Sequence, residues 1–81
     1  MTLASLTSRQ QLTMAAAQLL LAARTEARPR YEAADAERLL HAHLRFSHRG
    51  HDARTVSPAA ALDELLATKF AVGTIESWWL P

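Results

Sequence analysis

Residues 57–81 read SPAAALDELLATKFAVGTIESWWLP, and the fold class turns on how this stretch is parsed. Ser57-Pro58 is a strong helix start. A serine hydroxyl can accept from an orphan backbone amide, and proline's fixed φ suits the first helical position. Asp63 and Glu64 follow in the N-terminal half, where the helix dipole favours carboxylates. Leu62, Leu65, Leu66 and Phe70 recur at helical spacing and form the predicted buried face. The parse is then a helix over 58–72, ended by Gly73. Thr74 caps one short helical turn over 74–79, before Leu80-Pro81.

Upstream, His51 to Val56 form a polar connection, and the stretch before it reads as a second helix over 29–49. Pro29 suits its first position and Gly50 its C′ position. Its apolar arc holds Ala33, Ala36, Leu39, Leu40, Leu44 and Phe46, with His43 in the middle. Tyr31, Asp35, Glu37, Arg38, His41, Arg45 and His48 take the opposite, polar face. A first helix is predicted over 8–27, with Ser8 and Gln11 as a capping box. It carries two apolar stripes: Leu12, Ala16, Leu19, Leu20 and Ala23 on one, Met14, Ala17 and Leu21 on the other. A helix at the edge of a core needs one stripe. The second implies either burial on two sides or a face for a partner. Residues 1–81 thus read as one all-α domain, a small three-helix bundle with a short C-terminal helical turn.

Composition agrees with helix. Glycine occurs twice and proline three times, while alanine and leucine dominate. A hydrophobic share of 49% argues against disorder. A chain of this size buries only roughly 60–65% of its unfolded surface, so its own core is marginal. There is no cysteine, which removes disulfides and thiolate metal chemistry and fits a reducing, cytoplasmic setting. Tight helix packing or oligomerisation is the remaining remedy, and a homodimer is expected. Leu12 to Ala23 has the outline of a signal peptide, but Gln18 interrupts it, Gln10 and Gln11 precede it, and no Lys or Arg precedes Arg9. It is also too short and polar to span a membrane.

Net charge is +1, too mild to announce a nucleic-acid protein. The densest charged feature is Arg45 to Arg54. Arg45, Arg49 and Arg54 there are candidate phosphate contacts, although cations near a helix C-terminus are also favoured without any ligand. His41 and His43 point about 200° apart on a helix, and His41 and His48 sit about 10 Å apart along the axis, so neither pair makes a metal site. His48, His51 and Asp52 could converge but follow no zinc spacing. No metal or other cofactor is expected. No phosphate loop, nucleophile elbow or convergent carboxylate pair appears, so no enzymatic activity is expected either.

Leu66 to Val72 followed by Thr74 to Trp78 resembles a helix-turn-helix: a positioning helix, an apolar turn residue and the start of a recognition helix. The turn is about two residues short of the usual pattern, and Glu76 stands where a base-reading cation is wanted. Trp78-Trp79 weighs more. Tryptophan is enriched at binding hot spots, and adjacent side chains cannot both centre on one contact. One ring is read as packing under the domain and the other as partly exposed; alternatively, both complete a small core.

These observations favour a small non-enzymatic protein-interaction module: an adaptor, antagonist or regulator of the kind phages and mobile elements use to block a host factor. Met14, Leu21, Trp78 and Trp79 are its candidate contacts with a protein partner. The alternative is a small DNA-binding transcriptional regulator using Arg45, Arg49 and Arg54.

Overall fold

A computed structural model describes residues 8–44 and 56–81; of Ser8 and residues 42–44 it describes the backbone alone. In chain order the elements are α1 (Ser8–Glu26), β1 (Tyr31–Glu32), α2 (Ala33–Leu44), α3 (Pro58–Ala67), β2 (Val72–Gly73) and β3 (Ser77–Trp79). The three strands form an antiparallel sheet in the order β1-β3-β2. The fold is therefore mixed: three helices among the described residues plus a small sheet. This overturns the all-α three-helix bundle with a terminal helical turn.

Tyr31 explains the first departure. The sequence places it on the polar face of a helix starting at Pro29, yet it is 1% exposed. Its ring stacks on Trp78, with centroids 4.5 Å apart and planes inclined by 22°. Its hydroxyl donates to the Ala23 carbonyl at 2.7 Å and accepts from the Arg28 amide at 3.0 Å. Tyr31 thereby plugs the C-terminus of α1, where Ala27 turns into the left-handed region at φ 57°. The second helix starts only at Ala33, because the Asp35 carboxylate accepts from the Glu32 amide at 2.7 Å and caps it from inside.

The third helix starts as expected. Ser57 is the N-cap, and its hydroxyl accepts from the Ala60 amide at 3.1 Å, with Pro58 next. It stops early. Lys69 adopts φ 68°, its amide donates to the Leu66 carbonyl, and the Phe70 amide donates to the Leu65 carbonyl. Those two bonds make a Schellman C-cap with lysine where glycine is usual. Gly73 is left to serve the sheet. At φ 111° it lies where a Cβ would land on the Ser77 carbonyl oxygen and 2.9 Å from the Trp79 ring.

The segment expected as a helical turn is instead the end of a hairpin. The Thr74 amide donates to the Ser77 carbonyl at 2.8 Å, and the Ser77 amide donates back to Thr74 O at 3.2 Å. Ile75 and Glu76 form the tip. β3 pairs Trp78 with both Tyr31 and Gly73. The Trp78 indole N–H donates to the Glu32 carbonyl at 2.9 Å, tying β3 to β1 across the sheet.

The core lies between the helices and the inner face of the sheet. Leu19 comes from α1, Leu39 and Leu40 from α2, and Leu62 and Leu65 from α3, with Tyr31 and Trp78 closing the end. Alanines 15, 16, 23, 36, 61 and 71 fill the rest and let the helices approach closely. Both α1 and α3 deliver the chain to the end where the sheet sits.

Candidate protein-interaction surface

Along α1, the buried side chains are Ala15, Ala16, Leu19 and Ala23; Leu12, Met14, Leu20 and Ala22 are half-buried. Ala17 is exposed, and Leu21 is 54% exposed one turn further on. Of the second apolar stripe, Ala17 and Leu21 therefore face outward and Met14 lies at the boundary.

Beside that stripe runs a groove of about 400 Å³ between α1 and α3. Thr13, Ala16, Ala17 and Leu20 form one wall, and Leu65, Thr68 and Phe70 the other. Arg9 and Glu64 line its far end, joined by two hydrogen bonds of 3.3 and 3.1 Å. Phe70 is 55% exposed, although the sequence places it on the buried face of the third helix. The cause is the C-cap. Once Lys69 ends α3, Phe70 leaves the helical face it would share with Leu66. Val72, on edge strand β2, is a third large exposed apolar side chain at 38%.

The tryptophans part company. Trp78 is fully buried and belongs to the core, whereas Trp79 is half-buried on the outer face of the sheet. The Arg30 guanidinium lies 5.2 Å from the Trp79 ring centroid, in cation–π contact. A second depression, about 510 Å³ and open to solvent, lies at the start of α2. Its lining includes Arg30, Glu32 and Glu76, and it offers no large apolar anchor.

Most of the charge near the sheet end is internally matched. Glu26 pairs with Arg38 at 2.7 Å and with Arg28 at 2.9 Å, and Asp35 pairs with Arg38 at 3.0 Å. The hydrogen bonds from Arg38 hold the Glu26 carboxyl below its ordinary range. The Glu32 amide, and after it Arg38, do the same for Asp35. Arg24 and Lys69, by contrast, have no carboxylate partner among the described residues.

Arg45, Arg49 and Arg54 lie outside the described residues, as do His48, His51, Asp52 and the His43 side chain. His41 is exposed on α2. The segment read as the start of a recognition helix, Thr74 to Trp78, is a turn and a strand. Among the described residues no three His, Asp or Glu side chains converge as a metal site would require. No helix among them is long and apolar enough to cross a membrane. Leu21 is exposed, as the surplus stripe of α1 implies, whereas the exposure of Phe70 and the groove it lines have no signal in the sequence. Compared with models of protein families, with curated proteins and with solved structures, the chain matches none.

Proposed function

We propose that this chain is a small non-enzymatic protein-interaction module, working in the cytoplasm as an adaptor, antagonist or regulator that engages a partner protein through the α1–α3 groove. The observation that carries the reading is the pair Phe70, which lines the groove, and Leu21, one helical turn beyond its Ala17 wall, each more than half exposed. Single exposed leucines are ordinary on any surface. Two large apolar side chains flanking a formed groove are the arrangement that hot spots take, with buried anchors inside a polar rim. Thr13, Thr68 and the Arg9–Glu64 pair supply such a rim.

The test compares capture by four forms of the protein from the native host: wild type, Leu21→Arg, Phe70→Asp and, as a surface control on α2, Glu37→Lys. A partner retained by wild type and Glu37→Lys but lost from the two groove variants supports the reading. A partner set unchanged by Leu21→Arg and Phe70→Asp, with both variants folded by circular dichroism, sinks it.

A further inference from the structure

We infer that the occupant of this groove is an amphipathic α-helix of a partner protein, apolar along one stripe and carrying carboxylates at the end that lies against Arg24 and Lys69. The inference rests on the protein-interaction reading above and adds the chemistry of the partner.

Shape comes first. The groove lies between two helices, and on its α1 side Thr13, Ala17 and Leu20 repeat at helical spacing. Ala16 and Ala17 keep that wall low, so a third helix can approach to the interaxial distances of about 8–10 Å typical of packed helices. From Arg9 to Leu20, the ends of its lining on α1, the wall rises about 16 Å, the length of a helix of roughly 11 residues. Leu20, Leu21 and Phe70 sit toward one end of that length, where they can anchor an apolar stripe.

Charge then selects among occupants. At the far end Arg9 and Glu64 neutralise each other. At the sheet end Arg24 stands one turn beyond Leu20 and Leu21, and Lys69 is next to Phe70. Both are exposed, and neither has a carboxylate partner among the described residues. The groove is thus mostly apolar between its polar rims, and two exposed cations stand just beyond its Leu20–Phe70 end. A second copy of this chain is the weaker match. In a two-fold pairing through the same face it brings Glu64, already held by Arg9, and one exposed neighbour, Asp63, to meet two cations. A foreign helix with an acidic end meets both requirements, and opposite charges at a rim steer encounter and fix orientation.

The test pans the full-length protein with a phage-displayed library of 16-residue helices. Each carries a fixed leucine stripe at i, i+4, i+7 and i+11, with the flanking positions drawn from Glu, Lys, Gln and Ala. Phe70→Asp serves as the counter-selection. If that variant loses its helical spectrum, Leu21→Arg, on the exposed face of α1, takes its place. The expected survivors carry Glu over Lys by about ten-fold at one end of the stripe, and their binding weakens with added salt. Arg24→Glu combined with Lys69→Glu should reverse that preference. Survivors with equal or greater Lys content overturn the inference, as does a preference that the double charge reversal leaves unchanged. If no helix survives, but sedimentation shows a concentration-dependent dimer that Phe70→Asp disperses, the occupant is a second copy. The inference then fails while the interaction surface stands. If no helix survives and the chain stays monomeric at all concentrations, the inference fails, and the interaction reading is left to the capture comparison.

Discussion

Tyr31 and Trp78 hold the sheet end together through one stack and three hydrogen bonds. Trp78→Ala would leave a large cavity and orphan the Glu32 carbonyl, at a cost of about 3–5 kcal/mol. That is comparable to all the stability a core of this size supplies, so urea denaturation should find the variant largely unfolded. Tyr31→Phe keeps the ring and removes only the hydroxyl, and the Arg28 amide loses its acceptor. A loss of about 1–2 kcal/mol is expected in the same titration. Backbone strain gives a prediction of opposite sign. Lys69 pays about 1–2 kcal/mol for its left-handed conformation, against an entropic cost to glycine of about 0.5–1 kcal/mol. Lys69→Gly should therefore raise stability by up to about 1 kcal/mol. Gly73→Ala should lower it by more than that, because the added Cβ meets the Ser77 carbonyl rather than open space. Paired urea titrations of the two variants check both signs.

Among the elements, the helices were legible and the strands were not, for a physical reason. Ser57-Pro58 announces α3 because a cap is local chemistry, and the apolar spacings of α1 and α2 repeat often enough to show a period. Strands of two and three residues show none. The hairpin tip hides as well. Favoured two-residue hairpin turns demand positive φ and hence Asn-Gly or Asp-Gly, but Ile75 and Glu76 are not among the positive-φ residues here. What makes these segments strands is the burial of Tyr31 against Trp78, a contact between residues far apart in the chain. The ion cluster joining α1 to α2 carries the pH prediction. Glu26 and Asp35 have carboxyls held below their ordinary range in the folded protein. Their contribution is fully present above the ordinary carboxylate pKa of about 4 and is lost as pH falls through the depressed folded values. Arg38→Gln should thus lower Tm modestly at pH 7, by less than about 1 kcal/mol of stability since these groups are partly solvated. The gap between variant and wild type should close on acidification toward pH 2, as thermal melts across that range will show.

For the molecule as a whole, the core and the candidate surface are separable. Leu21 and Phe70 are largely outside the packed core, so Leu21→Arg and Phe70→Asp should each leave unfolding free energy within about 0.5 kcal/mol of wild type. A larger loss in chemical denaturation would place them in the core and remove the reason to read them as contacts. Half of this surface was visible in the sequence. The surplus stripe of α1 singles out Leu21, because a helix wheel counts apolar residues against the space for them. Phe70 was invisible, since its exposure depends on a helix ending at a lysine, where no glycine or proline marks the stop. Trp78 and Trp79 illustrate the same limit: adjacency shows that the rings diverge, and only the sheet decides which one goes inside.

The order of the strands bears on how the chain is made. β1 and β2 do not pair with each other; each pairs with β3, which follows both in sequence and lies between them. Synthesis runs from the N-terminus, so Tyr31 emerges 47 residues ahead of the ring it stacks on. Until Trp78 joins, the aromatic slot beside Tyr31 is unfilled and neither β1 nor β2 has a strand partner. The sheet therefore closes only when β3 is in place, and a chain truncated after Glu76 should lack it altogether and leave Tyr31 uncovered.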